Sequence, residues 1–359
     1  MKTRHAIMAL CWSCALPAFS QVTLYGVIDT GIERVNHTNA AGDAVTRMPT
    51  LTGTLPSRWG VRGTEDLGNG ASAVFQLESQ FGPDTGAQGQ GGRLFGRQAW
   101  LGLRGSFGTL SIGRQSNMTF HALVKTDTVG PSIHGVTNMD LYLPNARSDN
   151  ALAYNGVFNN FIVGASHSFG RDANPAGFSG PSATNCPGES AADKRACRQT
   201  TALLGYDTGT WAVFTSWDKQ HGGAGASNGL TRSADQERRR VISGYYLRGA
   251  VKLGGGYIKR DTVAGSRQES GLYFLGASIA DRLWTYDVQC AHLDVEASPN
   301  DTTLYVARVI YHLSKRTALY GTWGYVRNRG SAAIAVDAGG TVGRGLNQSG
   351  QMLGVRHVF

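Results

Sequence analysis

Two segments of this chain match catalytic or cofactor-binding motifs, but their surroundings do not suit the chemistry. GASNG (225–229) fits GxSxG, yet a nucleophilic serine of that kind needs a strand before it and a helix after it, and this segment lies in a Gly-rich loop. GNGASA (68–73) fits GxGxxA, but the residues that follow alternate as a strand and offer no helix N-terminus to a pyrophosphate. We therefore expect no enzymatic activity and no cofactor.

Metal chemistry is not indicated either, because the nine histidines are scattered without HExxH or comparable spacing. The more informative polar residues are basic. On an ordinary surface they would be scattered solvated side chains, whereas in a confined water-filled pore a ring of one charge sets ion selectivity. The candidate residues of a pore constriction are Arg58, Arg62, Glu78, Arg97, Arg114, Asp127, Asp140 and Arg147.

The stretch from Ser57 to Gln115 indicates whether these charged residues lie on an ordinary surface or in a pore. It alternates apolar and polar residues with a period of two, which predicts four strands in two hairpins. Nothing else in the chain offers helices or a second apolar layer to cover the apolar face of this sheet. Lipid is therefore the expected partner of that face. Alternation alone would aim Arg97 outward, since it shares parity with Ala99 and Leu101.

The same alternation predicts sixteen strands between Val22 and Phe359, joined by connections that are short at one end and mostly longer at the other. An even strand number with this asymmetry is the signature of an outer-membrane barrel. The fold class is therefore all-β: a 16-stranded antiparallel transmembrane β-barrel. The segment from Asn117 to Arg147 has no clear period and is unusually long, and loops of that length are commonly functional.

Residues 1–20 have a basic start, an apolar run of about eleven residues and small residues before Gln21, which predicts a secretory signal peptide. A short transmembrane helix is the alternative, but such a run is well short of the roughly 20 residues needed to cross a bilayer. The barrel domain then covers residues 21–359. The net charge is +9, and +7 without Lys2 and Arg4. Export argues against nucleic acid as the partner of this basic chain.

Two further features of the exported chain concern its loops. Cys186 and Cys197 flank a polar segment and predict a disulfide in an oxidising compartment. A zinc site is the alternative, although two cysteines without neighbouring ligands make a poor cage. The run Arg238-Arg239-Arg240 is interpreted as a solvated loop end, with a lipopolysaccharide contact as the alternative.

The sequence resembles Gram-negative general porins of the β-proteobacterial type over nearly the whole exported chain. The similarity rests on VTLYGVIDTGI, SRWGVRGTEDLGNGASAVFQLES, GRLFGRQAWLGLRGSFGTLSIGRQ, RSDNALAY and the terminal GVRHVF. The resemblance implies a homotrimer and a third long loop folded into the barrel. It also implies that Arg58, Arg97 and Arg147, with Glu78, line the wall opposite that loop. For Arg97 we follow the inward position that the family motif implies rather than the outward direction that strand parity predicts. The loop here is less acidic than such loops usually are.

The function expected from the sequence is passive diffusion of small hydrophilic solutes and ions, with a preference for anions, through a channel in the outer membrane of a Gram-negative bacterium. The alternatives are an outer-membrane barrel enzyme and an adhesin or receptor that acts through its long loops. Outer-membrane lipid and lipopolysaccharide are the expected surroundings. Phe359 ends an alternating strand, and we expect it to be part of an assembly signal.

Overall fold

A computed structural model describes residues 21–172, 185–226 and 229–359 of the chain. The predicted signal peptide, and Ser227 and Asn228 of the GASNG segment, lie outside these ranges. One antiparallel sheet contains every strand of the described residues. The strands are β1 Gln21–Val35, β2 Val45–Arg47, β3 Arg58–Gly68, β4 Ala71–Gln80, β5 Gln98–Gly105, β6 Gly108–Ser116, β7 Arg147–Phe158, β8 Phe161–Ser168, β9 Gln199–Asp207, β10 Trp211–His221, β11 Gln236–Arg248, β12 Val251–Ala264, β13 Ser266–Asp281, β14 Trp284–Val295, β15 Thr302–His312, β16 Thr317–Asn328 and β17 Gln348–Val358.

The sheet closes on itself because β1 has a partner on each edge. Residues Val27–Val35 of β1 pair with β17, from Val358 back to Gly350. Residues Gln21–Val27 pair with β3 on the other edge. The predicted barrel of sixteen strands is therefore confirmed. The additional short strand β2 pairs with the end of β1, and three residues within a polar loop carry too little periodicity to reveal it.

The outer face of the barrel is apolar. In β10, Trp211, Val213 and Trp217 are 37–48% exposed, while Ala212 and Phe214 between them face inward and are buried. Leu353 in β17 is 74% exposed. A continuous belt of such side chains is expected only where lipid rather than water surrounds the barrel. Among the described residues, no helix is long and apolar enough to cross a membrane.

The third long connection, residues 117–146, folds into the barrel, as predicted; it is called the internal loop below. Asn117 caps its helix α2, Met118–Leu123, by accepting hydrogen bonds from the N–H groups of Thr119 and Phe120. Two 3₁₀ turns follow, Val136–Asn138 and Leu143–Asn145. A shorter helical turn, α1 (Gly89–Gly92), lies in the second long connection.

The internal loop is held in the lumen by a hydrophobic core. On the loop side the core contains Met118, Ala122 and Val136. On the wall side it contains inward-facing apolar residues of β10–β15, including Phe214 and Ile258. One side of the lumen is therefore not polar, contrary to simple alternation, because those strands cover a packed loop rather than water. The arginines predicted to line the constriction lie on the other side, at β3–β7.

Two other sequence predictions concern connections. The GNGASA segment forms the β3–β4 hairpin, where Asn69 and Gly70 adopt positive φ angles of 53° and 76°. Such a turn needs residues that tolerate the left-handed region. Cys186 and Cys197 are joined in a disulfide with a Cα–Cα distance of 5.2 Å in the connection between β8 and β9.

Candidate functional site

Three arginines gather around one carboxylate on the wall formed by β3–β7. Glu78 on β4 is buried, and its Oε1 lies 2.5 Å from Nε of Arg97. Its Oε2 lies 3.6 Å from Nε of Arg58 and accepts a hydrogen bond from the Tyr25 hydroxyl at 2.9 Å. Arg147 is close enough to interact electrostatically with Arg97, Arg58 and Glu78. The structure thus brings together four of the predicted constriction residues.

Arg97 faces the lumen because it is not part of a strand. β5 begins at Gln98, and the Arg97 N–H donates to the Glu78 carbonyl at 3.1 Å just before regular pairing starts. Strand parity therefore does not apply to Arg97. Its Nη1 also donates to Gln80 Oε1 at 3.2 Å, so two neighbouring side chains of β4 fix the guanidinium.

Arg147 is the most buried of the three arginines, with 3% of its surface exposed. Its Nη1 donates to the Pro144 carbonyl at 3.1 Å, and its Nε has no hydrogen-bond partner. Among the described residues, no carboxylate lies within ion-pair distance of Arg147. A buried guanidinium without an ion-pair partner is costly, so this side chain favours the approach of an anion.

Arg114 belongs to a different, nearly neutral cluster. Its Nη1 lies 2.5 Å from Oδ1 of Asp149, and its Nε donates to the Gly96 carbonyl at 2.6 Å. Arg93, which the sequence analysis missed, donates to Asp172 Oδ1 at 2.7 Å and lies 3.8 Å from Asp149. These two arginines and two aspartates hold the 81–97 connection against the wall above the constriction.

Arg62 lies apart from the three-arginine cluster. It follows Arg58 by four residues on the same face of β3, about 13 Å further toward the short turns. Its guanidinium stacks over the Tyr25 ring at 5.2 Å from the centroid. Because the Tyr25 hydroxyl donates to Glu78, this tyrosine links Arg62 to the cluster.

Within the described residues, neither predicted acid of the internal loop forms an ion pair with Arg58, Arg97 or Arg147, although Asp127 lines the same cavity as these arginines. Asp127 accepts hydrogen bonds from the N–H groups of Val129 and Gly130 and from Gln289 Nε2 at 2.7 Å. Burial raises the pKa of Asp127 above its usual value despite these donors. Asp140 accepts two hydrogen bonds from Arg239, one from Nε at 2.8 Å and one from Nη2 at 3.0 Å.

The interpretation of Arg238-Arg239-Arg240 as a solvated loop end is wrong for its middle member. Arg239 is 3% exposed, lies within β11, and contacts Glu237 as well as Asp140. Its guanidinium stacks over the Tyr142 ring at 4.0 Å. The sequence does indicate that Arg239 faces inward, because Glu237, Arg239, Val241 and Ser243 share one parity, and all four are buried. Three consecutive arginines nevertheless suggested a solvated segment.

The narrow space between the arginines and the internal loop is a cavity of about 160 Å³. Arg58, Arg97 and Arg147 line one side, and the internal loop lines the other with Phe120, Leu123, Val124, Pro131 and Leu143 and with the charged residue Asp127. Within the described ranges, no group of three or more His, Cys, Asp or Glu side chains could hold a metal ion. The arrangement can bind or pass an anion electrostatically.

Comparison with known proteins gives a consistent result. A family model described as Gram-negative porin matches residues 6–331. The chain is 31% identical to outer membrane porin protein 32 of Delftia acidovorans, over 100% of this chain and 99% of that protein. It is 37% identical to an outer membrane porin protein of Bordetella pertussis, over 57% of this chain and 55% of the relative.

Solved structures are similar over almost the whole length. The anion-selective porin from Comamonas acidovorans superimposes with a TM-score of 0.77 at 27% identity, covering 95% of this chain and 100% of that one. The trimer form of OmpT from Vibrio cholerae gives a TM-score of 0.64 at 15% identity, covering 95% and 99%. The second similarity is one of fold alone.

Proposed function

This chain belongs to the Gram-negative porin family, and we propose that it is an anion-preferring channel for small hydrophilic solutes in the outer membrane of a Gram-negative bacterium. The observation that carries the anion preference is the cluster of Arg58, Arg97 and Arg147 around a single carboxylate, that of Glu78. The internal loop places one further carboxylate at this cavity, that of Asp127, which accepts hydrogen bonds from its own loop and from Gln289 and whose charged form is disfavoured because burial raises its pKa. Asp140 is bound to Arg239, so three guanidinium groups stand against two carboxylates there.

The electrostatic effect of such a cluster is large enough to select ions. Two unit charges about 6 Å apart interact by roughly 0.7 kcal/mol in bulk water and by about 3 kcal/mol at an effective dielectric near 20. A lumen only a few water molecules wide lies between these limits. Three arginines against the carboxylates of Glu78 and Asp127 leave the cavity net positive. This favours an anion over a cation by about tenfold for each 1.4 kcal/mol of net interaction.

The similarity to the anion-selective porin from Comamonas acidovorans supports the same preference. We also propose that the chain assembles as a homotrimer, supported by the trimer form of a protein with the same fold, and that lipid and lipopolysaccharide surround it. Among the described residues no observation favours the alternative functions of a barrel enzyme or an adhesin, and we propose neither.

The reversal potential of the purified protein in a planar bilayer tests this proposal. In a KCl gradient at low salt, the wild type should give a reversal potential whose sign shows that chloride is more permeant than potassium. Replacing Arg58, Arg97 and Arg147 by Glu should reverse that sign. A matched control replaces Arg248, Arg282 and Arg316, which are exposed in short turns or at the strand end next to one, by Glu. If both triple variants shift the potential equally, a uniformly positive surface rather than the cluster determines selectivity.

A further inference from the structure

The two sides of the constriction cavity differ in chemistry in a way that a general anion channel does not require. One side carries Arg58, Arg97 and Arg147. The opposite side consists mainly of apolar side chains of the internal loop, with Phe120, Leu123 and Val124 at the C-terminal half of helix α2 and just after it, and it also carries Asp127, whose carboxylate accepts hydrogen bonds from its own loop and from Gln289. A passing solute therefore has a positively charged wall on one side and a largely hydrocarbon wall on the other.

The arginines of the charged side have N–H donors and positive charge that the described protein groups do not fully pair. Glu78 is the one carboxylate within ion-pair distance of Arg58 and Arg97 in the described chain. Arg147 has no ion-pair partner in these ranges, is almost fully buried, and has an Nε without any hydrogen-bond acceptor. A planar guanidinium presents paired N–H donors, whose geometry matches a carboxylate. Arg147 therefore brings to the cavity lining a positive charge that no carboxylate of the described residues pairs with.

The apolar side is unusually exposed for the interior of a water-filled pore. Helix α2 buries Met118 and Ala122 against the barrel wall, so the helix is fixed in rotation and its next apolar residues must point elsewhere. Val124 is 50% exposed, and Phe120 and Leu123 are partly exposed. Contact of these apolar groups with water is energetically unfavourable. A solute that covers them with its own apolar atoms gains up to about fourfold in affinity for each fully buried CH₂ group.

We propose that this constriction preferentially binds and passes monocarboxylates whose charge is attached to an apolar body, such as short-chain alkanoates and small aromatic acids. The carboxylate contacts Arg147 and its arginine neighbours, and the hydrocarbon part packs on Phe120, Leu123 and Val124. This inference rests on the proposed anion channel and specifies the solute class of the same site.

Current block by a graded series of solutes tests the inference on the wild-type protein, independently of any variant. Acetate, propionate, butyrate and valerate carry one charge each and differ by one CH₂ group per step. Their half-blocking concentrations of KCl current through a single channel should fall by about two- to fourfold per step. Butyrate should also block at a lower concentration than 4-hydroxybutyrate, which has the same charge and a polar end.

Variants then locate the apolar contact. Leu123→Asn combined with Val124→Thr should flatten the alkanoate series, and Leu67→Asn, the same type of change at a 51% exposed residue near a short turn, should not. Equal half-blocking concentrations along the series, with chloride preference intact, would overturn this inference alone. A wild-type channel without chloride preference would instead overturn the proposed function. A steep series that persists in the double variant would also refute the apolar wall.

Discussion

Arg239 on the barrel wall binds Asp140 of the internal loop through two parallel hydrogen bonds, Nε to Oδ2 at 2.8 Å and Nη2 to Oδ1 at 3.0 Å. Both side chains are at least nine-tenths buried. The pair therefore removes a loop carboxylate from the passage and ties the loop to β11 at the same time.

Asp140→Asn should loosen the internal loop. Removing one partner of a buried ion pair typically costs about 3–5 kcal/mol, because the remaining charge stays buried. Here Glu237 retains a contact with Arg239 and lessens the loss. We expect a larger open-channel current noise in single-channel recordings. The matched control is Asp235→Asn, which breaks a pair with the 67% exposed Arg232 in an external loop. Equal noise in both variants would contradict the anchoring role.

The same pair predicts a pH dependence. Burial alone would raise the pKa of Asp140, but Arg239 and Arg260 lower it to about 2, below its usual value of 3.8. A depressed carboxyl pKa stabilises the folded loop fully above the usual pKa, and that stabilisation is lost as pH falls through about 2. Current noise should therefore stay constant down to about pH 4 and rise below it. A rise that begins near neutral pH would identify another group as the sensitive one.

Glu78→Gln should strengthen anion preference. It removes the carboxylate that is ion-paired with Arg58 and Arg97, and a unit charge at about 6 Å is worth between roughly 0.7 and 3 kcal/mol to a passing ion. The chloride-to-potassium permeability ratio should rise several-fold at low salt and much less at about 1 M, where screening acts over about 3 Å. Glu296→Gln in an exposed external loop is the control. An unchanged ratio would mean that Glu78 does not face the ion path.

The disulfide should matter locally and not for the barrel. Cys186 and Cys197 are eleven residues apart, and in the chain-entropy model such a cross-link contributes about 2–3 kcal/mol. Cys186→Ser with Cys197→Ser should leave heat resistance of the barrel in detergent unchanged and increase protease cleavage between β8 and β9. Peptide mapping under non-reducing conditions gives the direct check. Two free thiols in protein isolated from cells would refute the bridge.

Loss of Phe359 should reduce assembly. The backbone of Phe359 exchanges two hydrogen bonds of 3.0 Å with Gly26 of β1, and its ring lies where a Cβ on Gly26 would be. Deleting Phe359 removes these contacts at the closing edge of the sheet. The amount of trimer in the outer membrane should fall, while Phe359→Tyr, which keeps the ring, should restore most of it. Normal yield after deletion would count against an assembly signal.

Most of the fold could be predicted from the sequence, because apolar and polar residues alternate strongly in a barrel whose outer face meets lipid. The arginine positions needed the motif resemblance, since Arg97 precedes its strand and strand parity misplaced it. The partners of Asp127 and Asp140 could not be predicted, because they depend on how the internal loop packs against strands far away in the sequence, with Gln289 lying 162 residues beyond Asp127. Arg239 was missed because a dense basic run resembles a solvated loop.

The pairing of β1 with β17 has a consequence for the order of events in folding. Val27 lies opposite Val358, so this seam joins residues more than three hundred positions apart. Compared with a hairpin loop of about ten residues, that is roughly five doublings of loop length, or about 3 kcal/mol more closure entropy. Hairpins between strands that are adjacent in sequence can form first and bring the strands into their final order. The cylinder therefore closes late, and until then both edge strands present unpaired N–H and C=O groups that cannot enter lipid unaided.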